Sequence, residues 1–559
     1  MTPPKNFDVI IIGAGAGGGT AAWALSSSGF HVLVIEAGPA YDPFTDYLLD
    51  KPQWEQFRFP DRSKHKGRYS YGPMQELETR WEKLRSWNHI HGQFNKSDRR
   101  GINGYHHMRG IGGSTLVFSG EAHRFHPEAM KMQSRFKVAA DWPFDYAHLE
   151  PFYSRAERII GVAGPSEDSI RFRSEPYPLP AHRQSYASAK IKEGCRKIGL
   201  RWMPNAVAIL SDPYDGRPEC NYCANCNRGC PRTDKGSVDV TFFRKAIDSG
   251  FCTVMTDCQV TRLEAGPYDR ITGVHYVDGE GIAKTVSAKV VIVACGAVET
   301  PRLLLLSENS YAPDGIGNET GHAGKHFMET LAWMSSGLHP EPLGSFRGIP
   351  SDIICWDFNA PDSIPGIAGG CRFTIGTAEA DLLGPINYAQ RVVKGWGKEH
   401  KEEMRRSFGR ILSIASAGES LPNEKSYIDL YPYEKDDLDM PIARIHTYID
   451  EMGIRRLAFM AEKTREILSA SGVEKIIEEY GAYDYFNSTH VFGTCRMGNN
   501  PAESVVNPYC QSHRWRNLFI VDASVFPSSG GGESPSLTIE ALALRTAEYI
   551  RDLAKNGEI

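Results

Sequence analysis

Apolar residues along this chain collect in short unbroken runs, and the first begins at Phe7. Phe7-Asp8-Val9-Ile10-Ile11-Ile12 reads as a strand buried on both faces. The run breaks at Gly13-Ala14-Gly15-Ala16-Gly17-Gly18, after which an Ala- and Leu-rich helix is predicted from Thr20 to Ser27. A second strand is predicted from His31 to Glu36. Two more buried strands are read at Val290 to Ala294 and Leu518 to Val521, and Gly296 turns the chain into a helix predicted from Pro301. Farther on, Ile454, Leu457, Ala458, Ala461, Ile467 and Leu468 share one helix face, the pattern of a plain core helix.

The first strand, glycine turn, helix and second strand together have a physical purpose. Gly13 makes the tight turn, Gly15 lets backbone approach a pyrophosphate, and Gly18 allows helix to pack closely on strand. Glu36 ends the second strand, where a carboxylate accepts hydrogen bonds from ribose hydroxyls. An acid there, where a 2′-phosphate needs Arg, disfavours NADP and leaves FAD and NAD. Val9 to Phe30 carries no charge over a length that would span a bilayer, but its six glycines fit a strand, turn and buried helix better. Met1–Lys5 holds a single Lys with no small-residue cleavage site after it, so no signal peptide of the chain's own is expected.

Composition narrows the class further. With 41% hydrophobic and 23% charged residues over 559 positions, the chain is folded rather than disordered or fibrous. A net charge of −5 advertises no basic surface, so nucleic acid is not an expected partner. Of the 12 Cys, eight are scattered, while Cys220, Cys223, Cys226 and Cys230 form a C-x2-C-x2-C-x3-C run in a cysteine-rich loop, 218–232. That spacing is the one found in ferredoxin half-motifs and allows thiolates to converge on a 3Fe-4S or 4Fe-4S cluster. Metal-free cysteines and disulfides stand beside it as alternatives.

Three further segments resemble the glucose–methanol–choline (GMC) flavin oxidoreductases. They are Arg109-Gly110-Ile111-Gly112-Gly113-Ser114-Thr115, then Ala294 to Ser307, then a C-terminal set: His490-Val491-Phe492-Gly493-Thr494, Leu518 to Ser524 and Pro535 to Ala543. Trp142-Pro143 with Leu149-Glu150-Pro151-Phe152-Tyr153 resembles the family's connector. The resemblance implies an α/β chain, α+β overall, with a Rossmann-like FAD-binding domain interleaved with a substrate domain on an antiparallel sheet. The expected FAD-binding pieces are 1–140, 186–310 and 485–559; 141–185 and 311–484 are expected to bind substrate.

For the site, the resemblance implies FAD contacts at Gly13, Gly15, Gly18, Glu36, Arg109, Gly112, Gly113, Ser114, Val260, Asp522 and Ala523. It implies that His490 takes the substrate hydroxyl proton, a task that suits imidazole. The family's second group is His or Asn. Aligning on Pro535 puts Ser534 there and a one-residue shift puts Glu533; the alternative is that Gly530-Gly531-Gly532 form a flexible turn at the cofactor edge with Glu533 facing solvent. The cysteine run and Gly120-Glu121-Ala122-His123-Arg124-Phe125-His126 resemble catalytic subunits of bacterial glucose, fructose, gluconate and glucoside dehydrogenases. Those imply a small chaperone-like subunit, a cytochrome c or quinone acceptor, and the periplasmic face of the inner membrane; without that likeness the cytoplasm is expected. The expected function is oxidation of a CH–OH group of a sugar or glycoside. An oxygen-using alcohol or sterol oxidase, and a redox-inactive flavin-binding or assembly subunit, are the alternatives.

Overall fold

The computed structural model describes residues 7–47, 49, 51–52, 54–56, 67–166 and 170–559. Met1–Lys5, read above for a signal peptide, lies outside them. The chain is mixed α/β, and two sheets organise it. One is a five-stranded parallel sheet of β1 (Phe7–Ile12), β2 (Val32–Ile35), β3 (Cys252–Met255), β4 (Ala288–Val293) and β5 (Leu518–Ile520). Its order is β3-β2-β1-β4-β5, so segments from the beginning, middle and end of the chain lie side by side. Ile10, Ile11, Val34 and Ile292 are fully or almost fully buried, as unbroken β-branched runs require when both faces are covered.

Helix α1 (Ala16–Ser26) begins earlier than Thr20, because the glycine run forms its first turn. A Cβ on Gly18 would lie 1.9 Å from the Gly13 carbonyl oxygen, so only glycine lets α1 sit this close to the turn. Helix α2 (Gly296–Leu306) likewise starts before Pro301. Pro301 has no N–H to give the Ala297 carbonyl. Thr494 Oγ1 donates to that carbonyl instead, at 2.7 Å, so one family-like segment completes another. Helix α3 (Ser536–Lys555) packs against α1 and the helix Tyr146–Ile160.

The second sheet is antiparallel and eight-stranded. Its centre is formed by Lys475–Gly481, Leu331–Leu338, Ile411–Gly418 and Cys371–Ile375. Short strands at Trp87–Asn88, Gly92–Gln93 and Met203–Pro204 extend its edges, although the sequence reading groups those segments with the nucleotide-binding pieces. The helix Glu451–Ala470 covers this sheet, with Ile454, Leu457, Ala461, Ile467 and Leu468 buried against it. Asp450 caps that helix, accepting from Gly453 N–H at 2.7 Å. Among the described residues no helix is long and apolar enough to cross a membrane.

Candidate active site

A cavity of about 1180 Å³ runs from the carboxyl ends of the parallel strands to the face of the antiparallel sheet. Ligands of open α/β sheets bind at such strand ends. Gly13, Gly15, Glu36, Arg109, Gly113, Ser114, Val260, Asp522, Ala523, His490 and Ser534 all line it. Gly18, Gly112 and Glu533 do not; Gly18 holds α1 against its strand, and Gly112 turns the 110–115 loop at φ +103°.

The nucleotide end fits a dinucleotide. Gly15 precedes α1 without a side-chain cap, so the first N–H groups of the helix open toward the cavity, where Gly15, Ala16 and Gly17 form the wall. Opposite stands Gly113, whose Cβ, were there one, would lie 2.8 Å from the Gly15 Cα. Gly112 N–H donates to the Ala14 carbonyl at 2.9 Å and locks the two loops together. Glu36 accepts from the N–H groups of Ala14 (2.8 Å), Gly38 (2.9 Å) and Gly110 (2.9 Å), which fixes its carboxylate at the rim. Burial raises its pKa, and those three hydrogen bonds oppose the rise. Asp522 accepts from Thr300 Oγ1 (2.6 Å), Gly296 N–H (3.0 Å) and Ser524 N–H (2.8 Å), so it both staples the start of α2 and faces the cavity.

His490 enters on an extended segment fixed by its backbone. Its carbonyl accepts from Thr330 N–H at 3.0 Å, and Gly493 N–H donates to the Ala523 carbonyl at 3.1 Å. The imidazole makes no hydrogen bond to the described residues and looks into the cavity. Burial lowers its pKa to about 4, with Arg372 deepening the shift and Glu121 opposing it. The ring is therefore neutral at physiological pH and free to accept a proton.

Ser534 and Glu533 separate cleanly. Ser534 Oγ donates to Glu121 Oε2 at 3.1 Å, and Ser534 N–H donates to His123 Nδ1 at 3.2 Å. Glu533 is 1% exposed, not open to solvent. Its Oε1 accepts from Arg171 Nη2 (3.0 Å), Asn359 Nδ2 (2.9 Å) and His126 N–H (3.1 Å). The glycine turn before it is tightly packed: Cβ atoms on Gly531 and Gly532 would lie 2.4 and 2.3 Å from the carbonyls of Asn359 and Ala417.

The cysteine run lies beside this cavity without a metal-holding arrangement. Among the described residues, no three or more His, Cys, Asp or Glu side chains are arranged to hold a metal ion. Cys220 and Cys226 are buried in an apolar cluster with Val207, Ile209 and Leu210, Cys223 is exposed, and Cys230 donates to Asp234 Oδ1 at 3.2 Å. Burial raises the pKa of each, leaving protonated thiols. Lys235 Nζ ties this loop to the cavity wall, donating to the carbonyls of Cys226 (2.7 Å), Leu116 (2.9 Å) and Phe118 (3.2 Å).

Comparison with known proteins decides the family. GMC oxidoreductase profiles match residues 8–325 (the N-terminal part) and 422–543 (the C-terminal part), well over half of the chain. The chain belongs to the GMC oxidoreductase family. This GMC oxidoreductase is 27% identical to a 2-methyl-1,2-propanediol dehydrogenase of Mycolicibacterium austroafricanum, over 98% of this chain and 96% of that one. It is 28% identical to the fructose dehydrogenase large subunit of Gluconobacter japonicus, with 99% of each chain covered. A formate oxidase variant of Aspergillus oryzae, studied for FAD modification, shares the fold with a TM-score of 0.62 at 15% identity over the full length of both chains. Oxidases and dehydrogenases both occur among the relatives, so likeness alone does not name the electron acceptor.

The sequence reading missed part of this GMC site. Glu121, Arg372 and Glu379 line the cavity with His490 and Ser534. The signal for Glu121 was its place in the Gly120–His126 segment. Nothing in the local pattern marks Arg372 or Glu379.

Proposed function

We propose that this oxidoreductase is an FAD-dependent dehydrogenase that oxidises a CH–OH group of a sugar or other small polyol. The observation that carries this reading is the neutral imidazole of His490, bonded to none of the described residues, on the wall of a cavity whose other end is built for a dinucleotide. The chemistry that FAD supplies when bound is acceptance of the hydride leaving the carbinol carbon. Gly13, Gly15, Glu36, Arg109, Gly113, Ser114, Val260, Asp522 and Ala523 would hold it. His490 takes the hydroxyl proton at a ring nitrogen. Ser534, its own proton directed at Glu121, accepts from the substrate hydroxyl and orients it. The ionised Glu121 carboxylate stabilises the imidazolium that results. Glu533 stays outside the chemistry and, with Arg171 and Asn359, holds the loop that presents Ser534.

The electron route beyond the flavin is a finer matter. A cluster on Cys220, Cys223, Cys226 and Cys230, a small partner subunit, a cytochrome c or quinone acceptor and a periplasmic location are supported by the cysteine spacing and by relatives that are fructose and gluconate dehydrogenase subunits. The thiol arrangement does not fit a metal group, so no step is drawn through it. Iron and acid-labile sulfide per flavin, measured in anaerobically purified protein, decide it. About three or four irons establish a cluster, and none leaves the cysteines structural.

The reading is tested by mixing the flavin-loaded enzyme anaerobically with glucose, fructose and 1,2-propanediol. Flavin absorbance is expected to bleach with at least one, and readmitted oxygen is expected to restore it slowly with little peroxide. Rapid, stoichiometric peroxide supports an oxidase instead. Bleaching by no sugar and no alcohol contradicts both and points to a redox-inactive flavoprotein.

A further inference from the structure

The wall that presents Ser534 is backed by two residues, His123 and Asn205, neither of which lines the cavity. Residues 120–123 and 205–208 run antiparallel: Glu121 pairs with Val207, and Ala122 N–H donates to the Ala206 carbonyl at 3.0 Å. That register sets His123 opposite Asn205 and leaves Glu121 and His123 on one face, two residues apart. His123 and Asn205 are each 2% exposed, so their polar atoms need partners within the protein. They find them in a closed circuit. Asn205 Nδ2 donates to Glu121 Oε1 and to the Ser351 carbonyl, both at 3.1 Å, and Asn205 Oδ1 meets His123 Nε2 at 2.9 Å. His123 Nδ1 accepts from Ser534 N–H at 3.2 Å, and Ser534 Oγ returns to Glu121 Oε2 at 3.1 Å.

Each link follows from the one before. Glu121 is ion-paired with Arg372, so its carboxylate only accepts. The Asn205 atom against it must be the amide nitrogen, since an oxygen there would face both the carboxylate and the Ser351 carbonyl. Asn205 Oδ1 is then left for His123 and requires a hydrogen on Nε2. A neutral imidazole with that hydrogen has a bare Nδ1, the acceptor that Ser534 N–H needs. Burial lowers the His123 pKa to about 4, with Arg372 and Arg171 adding to the shift and Glu121 opposing it, so the ring is neutral. Trp356 meets the ring edge to face at 4.9 Å and fixes its plane. The last link draws the Ser534 hydroxyl hydrogen to Glu121, which leaves the oxygen lone pairs for the cavity.

We propose that Asn205 and His123 are positioning residues for the oxidation: their hydrogen bonds, set in one sense by Glu121, fix Ser534 as an acceptor toward the substrate hydroxyl. Neither touches substrate; both act through Ser534. This inference rests on the role given to Ser534 in the alcohol-dehydrogenase reading above.

Asn205→Asp tests the sense of the circuit, because the two protonation states of the introduced carboxyl act oppositely. Protonated, it donates to Glu121 and accepts from His123, and the circuit is kept. Ionised, it repels Glu121 and the Ser351 carbonyl, and the circuit opens. The Glu121 charge and burial place its pKa above the usual carboxylate range, and the nearby Asp352 carboxylate, held by Ser185 N–H and Ser188 Oγ, acts in the same direction. Anaerobic flavin reduction is measured from about pH 5 to 9 with whichever of glucose, fructose and 1,2-propanediol bleaches the wild type fastest. The limiting rate of Asn205→Asp is expected to approach wild type at the acid end and to fall by about tenfold to a hundredfold as the pH rises, a limb absent from wild type. A profile of wild-type shape overturns the proposal at any level of activity, because a merely structural loss lowers the rate alike at every pH.

His123 gives a second reading that does not depend on that variant folding. Asn offers an acceptor oxygen where Nδ1 stands, and Gln a donor where Nε2 stands. His123→Asn is therefore expected to keep a limiting rate at least about tenfold above that of His123→Gln, with equal flavin content in both. Equal rates, or a faster His123→Gln, overturn the proposal. A wild type that is bleached while these variants miss their expectations removes this inference alone, whereas a wild type bleached by no sugar or alcohol removes the alcohol-dehydrogenase reading with it.

Discussion

Replacing His490 with alanine is expected to slow anaerobic flavin reduction by about 10²–10⁴-fold, the usual contribution of a positioned general base, while flavin content stays at the wild-type level. The separation of the two readouts follows from the structure. The backbone around His490 is held by the Thr330 and Gly493–Ala523 hydrogen bonds, none of which uses the imidazole. The ring bonds no described residue, so its removal orphans no buried partner. The nucleotide cradle is built from other segments altogether. Stopped-flow absorbance with a reactive sugar or diol gives the rate, and the spectrum of the purified variant gives the flavin occupancy. A loss of less than about tenfold would mean that the hydroxyl proton leaves by another route.

The second large effect concerns the cradle. Gly15→Val is expected to give a folded protein that binds flavin at least about a hundredfold more weakly, as loss of two or three hydrogen bonds to a charged pyrophosphate implies. The nearest atom to a Cβ on Gly15 is the Gly113 Cα at 3.8 Å, and the Gly15 φ of −78° is open to any residue. The new Cβ therefore meets the protein only at ordinary contact distance, and the side chain takes up the ligand's space. Gly18→Val is expected to behave differently, since its Cβ would collide with the Gly13 carbonyl at 1.9 Å. That variant loses the strand–helix packing and with it the fold, so circular dichroism and thermal melting separate the two. Full flavin occupancy in purified Gly15→Val contradicts the cradle assignment.

The nucleotide half was legible because its physics is local. β-branched runs, the glycine turn and Glu36 lie within 30 residues, and the backbone needs of a pyrophosphate site dictate their order. The substrate half was not. Glu121, Arg372 and Ser534 come from separate segments, and only the tertiary fold brings the guanidinium and the hydroxyl to one carboxylate. The choice between Ser534 and Glu533 hung on a one-residue shift that sequence left open; the close packing of Gly531 and Gly532 turns Glu533 to Arg171 and Ser534 to the cavity. The start of α2 was misplaced because Pro301 looks like a first-turn residue, and only the distant Thr494 hydroxyl makes it tolerable inside the helix.

The central claim is that a neutral His490 accepts the substrate proton. The pH dependence of wild-type flavin reduction under anaerobic conditions tests it most directly. An imidazole held down at about 4 is unprotonated throughout the neutral range, and it loses its capacity to accept a proton only as the pH falls through that value. The account predicts a rate that is level between about pH 5 and 8 and falls as the pH approaches 4, with this acid limb absent from the residual rate of His490→Ala. An acid limb near the ordinary imidazole pKa of about 6.5, or the same limb in the alanine variant, would contradict it.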